Sequence, residues 1–466
     1  MSMLMDEALE DLRGRVSGVV ITADHPEYDT TRRLWNAAID GRPSVIVRCT
    51  STADVQAAVR AAVEQGLEIS VRGGSHSFPG YSMGDEGLVV DLSGMRGVDV
   101  DESARRARVQ GGALLGEVDA ATQAHGLAAP FGMVSHTGVG GLTLGGGMGW
   151  LSRMAGLSID NLTSAEVVLA DGEVVTTSAD AHPDLFWAIR GGGGNFGVVT
   201  EFEFALREVE PMVSFGLFFW SLERGTEALR LMRDVITDLP LTLNAVPVAG
   251  LTVPPLPFVP AEYHFASGYA LELAGFGDPE AHQAAVTRIR SDCPPSFEFV
   301  TELPYVGLQS LIDEPNAWGS HGYDKGVYLT EMNDEVIDVL TRYTESKESP
   351  LSIVILYRLD GAYSDVANDA TAFSGPRTPC YFANLIGLCP DPAMLDGARQ
   401  WVRSLHAELE PYAVDDSCYV NVLPMTDVAD VKAAYGSKFE RLQQIKKTYD
   451  PGNVFHRNAN IPPARS

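Results

Sequence analysis

The sequence has no lysine before Lys325 and no basic run, and its 34 Lys and Arg face 62 Asp and Glu, a formal net charge of −28. Nucleic-acid binding depends on Lys and Arg neutralising backbone phosphates, so this balance excludes a protein that lives on phosphate polyanions. Anionic membrane surfaces are disfavoured for the same reason. Long hydrophobic runs are also missing: no stretch approaches the roughly 20 consecutive apolar residues that span a bilayer. Residues 1–16 carry acidic groups and lack a basic segment followed by an apolar core. No secretory signal is read there, and cytoplasmic residence is the expectation. Cysteine is scarce: Cys49, Cys293, Cys380, Cys389 and Cys418 are scattered, odd in number and form no C-x-x-C pair. That pattern argues against a metal centre and for buried thiols.

The 466 residues are 45% hydrophobic and 21% charged, which is globular composition and excludes disorder, collagen and coiled coil. The length suggests two or three domains at roughly 150 residues each. Glycine is the abundant residue, with 46 in the chain and nineteen of them between Gly111 and Gly197. So much glycine without low complexity calls for backbone that a side chain would forbid, or backbone pressed against something bulky. A large ligand lying on main chain is the expected cause.

Along the chain, a strand over Ser44 to Arg48, a helix capped by Ser51 or Thr52 and running to about Gln65, and a strand over Ile69 to Arg72 form a βαβ unit. Further strands are expected over Leu88 to Leu92 and Ala107 to Gln110, with a helix over Leu114 to Ala124 closed by Gly126. Gly132 to Gly149 reads as a loop. Asp171-Gly172 marks a hairpin, Pro183 to Ile189 a short helix and Gly197 to Phe204 an alternating strand. Beyond about Glu208 the glycine thins. Strands are expected over Phe215 to Trp220, Ala266 to Glu272, Leu351 to Leu356 and Tyr381 to Gly387. Amphipathic helices are expected over Thr226 to Asp238, Pro279 to Ser291, Asp334 to Thr344 and Pro392 to Leu409. This second unit reads as an α+β domain whose helices cover one face of a sheet. Val428 to Tyr449 reads as one last helix.

Two familiar patterns match in the wrong context. Gly192 to Gly197 fits G-x-G-x-x-G, but a helix precedes it and a strand follows, the reverse of a dinucleotide-binding Rossmann turn. Gly80-Tyr81-Ser82-Met83-Gly84 fits the nucleophile elbow, but a strand follows where a helix is required, so a hydrolase using Ser82 is a distant alternative. The runs Arg72 to Gly80 and Gly138 to Gly147 differ, because two glycine loops can present successive amides to one diphosphate without any lysine.

The run Arg72-Gly73-Gly74-Ser75-His76-Ser77, the segment Gly138 to Gly149, the run Phe186 to Gly197 and the terminal Tyr449-Asp450-Pro451-Gly452-Asn453-Val454-Phe455 together resemble the berberine bridge enzyme-like FAD-linked oxidases. These belong to the vanillyl-alcohol oxidase and p-cresol methylhydroxylase superfamily. The resemblance implies an α+β, two-domain FAD-binding PCMH-type fold, with an FAD domain over 1–207, a substrate domain with an antiparallel sheet over 208–415, and a terminal segment over 416–466 packing back on the first. It implies FAD bonded through His76, a neutral imidazole being a competent nucleophile. Gly132-Met133-Val134 stands where many relatives carry a cysteine in G-x-C, so a single covalent link is expected. Pyrophosphate contacts map to Arg72, Gly73, Gly74, Ser75 and Ser77 and to Val139, Gly140, Gly141, Leu142 and Thr143. Gly145, Gly149, Asn161 beside Asp160, Val198, Val199, Asn458 and Asn460 are the other cofactor candidates.

In mechanism, the resemblance implies hydride removal from a C–H next to oxygen or nitrogen of a small alcohol, sugar or amine, with O2 returning the flavin to its oxidised form and yielding H2O2. Relatives commonly use the last tyrosine of Y-x-N-Y as base, whereas this chain reads Tyr419-Val420-Asn421-Val422. Either Tyr419 or another residue takes over, or the substrate needs no strong base, as a neutral amine would not. His136 is the second catalytic candidate, and Tyr323, Lys325, Tyr328 and His264 are further polar residues of the second domain. A dehydrogenase using another acceptor, or a non-catalytic FAD-binding protein, are the alternatives.

Overall fold

The computed structural model describes residues 3–424 and 427–465. Its first sheet is built on runs of β-branched residues, Val45–Arg48, Leu88–Asp91 and Ile69–Arg72, which pair in parallel, with Val19–Ile21 antiparallel at the edge. Parallel pairing needs a crossover, and the helix Thr52–Gln65 supplies it. Ser51 caps this helix by accepting from the Asp54 amide, and Gly66 ends it in the left-handed region at φ +65°. A five-stranded antiparallel sheet follows in the order Val98–Asp101, Arg106–Gln110, Val198–Ala205, Leu162–Val168, Val174–Ser178. Its last two strands are the hairpin turned at Asp171-Gly172.

The second half is a seven-stranded antiparallel sheet, ordered Phe297–Pro304, Met212–Ser221, Ser267–Gly275, Leu243–Thr252, Ile353–Leu359, Cys380–Cys389, His321–Leu329. The helices Gly225–Asp238, Pro279–Asp292, Asp334–Ser346 and Leu395–Leu409 share a hydrophobic core with one face. Alternation sends Val327, Leu329, Ala383 and Leu385 to that core and Asp324, Phe382 and Asn384 to the opposite face.

Three of these strands escape sequence reading. Leu243–Thr252 carries Pro247, which argues against a central strand because it lacks a ladder donor. Beside Ile353–Leu359 its pairing is limited to Val248↔Ile355 and Ala249↔Val354. His321–Leu329 and Phe297–Pro304 carry charged residues within the strand, Asp324 and Lys325 in the first and Glu298 and Glu302 in the second. Two other expectations are corrected. Gly132 to Gly149 contains the helix Val139–Gly145, which low glycine propensity conceals and tertiary packing enforces. The terminal helix is two, Val428–Tyr435 and Phe439–Tyr449, broken at Gly436 with φ +53°. Phe439, Leu442 and Ile445 pack with Phe186 and Trp187, so the C-terminal stretch shares the core of the five-stranded sheet.

Where the helices Leu115–Gln123 and Tyr305–Gln309 meet, Asp119 and Gln309 are each 1% exposed. Gln309 Nε2 donates to Asp119 Oδ2 (3.1 Å), and Oδ1 has no donor among the described residues. Burial pushes the Asp119 carboxyl up to about 7. The folded state therefore binds a proton that the unfolded chain has released above about pH 4, so this residue's contribution to stability falls as pH rises from about 4 to 7. Asp119→Asn is expected to remove that slope and stabilise the protein at pH 8, by at most about 4 kcal/mol. Parallel pH–stability curves for the two proteins would refute it.

Candidate functional site

Several of the chain's glycines bring backbones together. A Cβ on Gly74 would lie 2.1 Å from the Gly138 nitrogen, one on Gly138 2.2 Å from the Gly74 nitrogen, and one on Gly111 2.3 Å from the Val199 carbonyl oxygen. The 72–77 and 132–138 loops thus touch main chain to main chain. Ser75 holds φ +63°, and its hydroxyl accepts from Arg72 Nε at 2.8 Å, while Arg72 also pairs with buried Asp91. Gly141 and Gly193 are different, since a Cβ at either would meet no backbone within 4 Å.

Both of those glycines line a cavity of about 370 Å³ between these loops and the uncovered face of the seven-stranded sheet. Among the described residues lining it, Asp324 and Arg457 are the only charged ones. Gly73, Gly74, Ser75, His76 and Ser77 are in its wall, as are Gly140, Gly141, Leu142, Val198, Val199, Asn458 and Tyr419. The other candidates stand behind it. Arg72 braces the loop. Val139 donates its amide to the Ala113 carbonyl, and Thr143 is buried with its hydroxyl unpartnered. Gly145 and Gly149 are packed against Asn421 and the Phe131 carbonyl. Asn161 donates to the carbonyls of Ala155 and Leu157, and Asn460 has a buried, unpartnered Oδ1.

His76 Nε2 lies 2.7 Å from His136 Nδ1, which places His136 against His76 and outside the cavity wall. Trp35 stacks on the His76 ring at 5.2 Å between centroids. Burial first, and His136 second, depress the His76 imidazole to about 3, so it is neutral at physiological pH. Its Nδ1 makes no hydrogen bond to a described residue, which leaves that nitrogen's lone pair or proton for another partner.

Tyr419 is 5% exposed, and its hydroxyl oxygen accepts from the Gly147 amide (3.0 Å) and from Asn421 Nδ2 (2.9 Å). With both lone-pair positions engaged, the phenol can only donate. Burial raises it to about 12, so it stays protonated across the neutral range. Val422 joins the wall beside it.

Tyr323, Lys325, Tyr328 and His264 do not line the cavity. Tyr323 packs into the helix-covered core, alternation puts Lys325 on the same face, Tyr328 packs with Phe382, and His264 bonds the Val259 carbonyl. Sequence reasoning missed Asp324, Tyr357, Phe382 and Asn384 on the sheet and Tyr81 and Arg457 on the loops, and it noted Ser82 only as part of a nucleophile pattern. The signal for Asp324 was the period-2 alternation of His321–Leu329, which once recognised turns residue 324 opposite to 323 and 325.

The wall fits a flavin dinucleotide. Ser82 Oγ is buried, lines the cavity and has no partner. Open glycine backbone and a neutral histidine stand where a phosphate site built on lysine would have none.

Residues 43–178 match the family described as FAD binding domain, and residues 418–462 the family described as berberine and berberine like. The chain is 31% identical over 455 residues to an FAD-linked oxidoreductase of Dictyostelium discoideum, covering 97% of this chain and 96% of that one. It is 30% identical over 461 residues to the (R)-6-hydroxynicotine oxidase of Paenarthrobacter nicotinovorans, covering 97% and 98%. Among solved structures, 6-hydroxy-D-nicotine oxidase from Arthrobacter nicotinovorans superposes with a TM-score of 0.85 at 27% identity, covering 96% of this chain and 98% of that chain. Physcomitrella patens BBE-like 1, with a TM-score of 0.87 at 24% identity over 98% and 100%, shows the same fold.

Proposed function

Because the chain belongs to the berberine bridge enzyme-like FAD-linked oxidoreductases, matched over 97% of its length by FAD enzymes at 30% identity or more, we propose that it is an oxidase. It takes a hydride from a C–H next to oxygen or nitrogen of a small organic substrate and yields H2O2. FAD, when bound, supplies the hydride acceptor and the route of electrons to O2. The chain's own residues bind, orient and exclude water.

The observation that carries this reading is the His76–His136 pair. One imidazole nitrogen of His76 is tied down, the ring is stacked and neutral, and the other nitrogen is free beside a wall made of glycine amides. That is the arrangement of a nucleophile held for one covalent bond to the flavin. None of the five cysteines lines the cavity, which supports a link through His76 alone. Gly140 and Gly141, in the first turn of Val139–Gly145, have amides without intrahelical acceptors and suit the diphosphate. Tyr419 donates into the cavity and His136 positions His76.

The test is turnover of the purified holoprotein in air with N-methylbenzylamine, benzyl methyl ether and D-glucose. We expect a yellow acid-precipitated pellet and one H2O2 formed per O2 consumed. Turnover that proceeds only with dichlorophenolindophenol overturns the oxidase reading in favour of a dehydrogenase.

A further inference from the structure

Asp324 is 1% exposed, lines the cavity from the edge strand His321–Leu329, and neither of its carboxyl oxygens has a donor among the described residues. On the adjacent strand, Asn384 also lines the cavity, and its Oδ1 is likewise buried without a donor. The register pairs Asp324 with Ile386 and Gly326 with Asn384, so the two polar side chains are diagonal neighbours on one face. Three buried acceptor atoms without donors therefore belong to neighbouring residues in one part of the wall.

No cation among the described residues answers them. Lys325 is on the opposite face of its strand, and Arg457, the other charged residue of the wall, is held by Glu68 and the Met83 carbonyl. A buried carboxyl without a hydrogen bond is costly and survives where a donor from outside the chain completes it. The surrounding wall is apolar or aromatic: Tyr357, Phe382, Val420, Val422 and Met148. A sugar needs polar partners on several sides, whereas one carboxyl set in such a wall suits a single charged group on an apolar frame.

We propose that Asp324, seconded by Asn384, determines specificity by binding the ammonium group of a primary or secondary amine with an apolar skeleton, and takes its proton before oxidation. This rests on the oxidase reading above and names its substrate class. The step balances: an N–H bond breaks, an O–H bond forms on Asp324, and the nitrogen lone pair so freed becomes the second C–N bond as the α-hydride leaves to the flavin. The iminium product takes up water and separates into a carbonyl compound and ammonia, from a primary amine, or a primary amine, from a secondary one. Burial raises the Asp324 carboxyl well above the usual carboxylate range, so a cation placed against it is what favours its ionised form. The same step explains how a chain with Val422 in place of a phenol can work, because an amine freed of its proton needs no further base.

The test uses the holoprotein and matched pairs that differ only in charge: cumylamine and cumyl alcohol, which lack an α-hydrogen and cannot be oxidised, and N-methylbenzylamine and benzyl methyl ether, with D-glucose as the polyhydroxyl probe. Binding is read by calorimetry and by perturbation of the visible flavin spectrum. We expect each amine to bind roughly 10- to 100-fold more tightly than its neutral partner, the range of a charge-assisted hydrogen bond. Asp324→Asn should abolish that preference while flavin content and melting temperature hold. No amine preference in any pair, tighter binding of glucose, or a preference that survives Asp324→Asn overturns the inference. If the variant fails to fold, the wild-type pairs still decide. A protein that binds amines selectively but consumes no oxygen would fail the oxidase reading instead.

Discussion

Acid precipitation of His76→Ala protein is expected to leave a colourless pellet and a yellow supernatant, against a yellow pellet for the unmodified chain. The effect is expected to be all-or-none because, among the described residues of this wall, His76 is the one nucleophile held neutral and oriented for the proposed bond. His76 is neutral, its Nε2 is engaged by His136 at 2.7 Å, and Trp35 fixes the ring plane. The thiols offer no substitute. Burial pushes the Cys418 thiol up to about 12 and the Cys380 thiol up to about 12, so neither carries meaningful thiolate near neutrality. His136→Leu should keep His76 but lose its orienting partner, and the pellet should colour more slowly as FAD is supplied to the apoprotein. A yellow pellet from His76→Ala would show that another side chain carries the flavin.

The loop proposed to carry the flavin can be picked out in sequence because its chemistry is local: Arg72 to Ser77 form one run, and a histidine at its tip is visible without knowing the fold. The glycine density was legible too, but its cause was only half read. Gly74 against Gly138 and Gly111 against Val199 are contacts between segments far apart in the chain, which no local pattern announces. The wall proposed to face the substrate was the least legible part. Asp324 sits in a strand flanked by Tyr323 and Lys325, and unless that strand and its register are recognised the polar residue facing the cavity cannot be told from its neighbours. Ser82 shows the opposite error. It drew attention as part of a nucleophile pattern, while its place in the structure is an unpartnered hydroxyl in the cavity wall. His136, the second catalytic candidate, stands in the structure with its Nδ1 2.7 Å from His76 Nε2.

The second large effect is one of stability. Arg377→Met is expected to destabilise the protein by about 3–5 kcal/mol, because it strands a buried carboxylate. Arg377 and Asp160 are 2% and 6% exposed at their side chains and meet through two bonds, Nη1 to Oδ2 at 2.9 Å and Nη2 to Oδ1 at 2.8 Å. Asp160 Oδ2 also accepts from the Leu157 amide, so the pair fixes the turn whose Ser158 amide bonds the Gly147 carbonyl, directly under Tyr419. Arg190 attracts Asp160 without a direct bond and offsets part of the loss, which favours the lower end of the range. A chain of this length unfolding as one unit has an entropy of about 1 kcal/mol/K, so the same loss moves the melting temperature by only about 3–5 °C. A denaturant midpoint read by tryptophan fluorescence is therefore the better measurement. Adding Asp160→Asn to Arg377→Met should recover part of the stability by removing the uncompensated charge, a recovery that a simple loss of packing would not produce. A single-variant loss below about 1 kcal/mol would place the pair in the class of solvent-screened surface bridges.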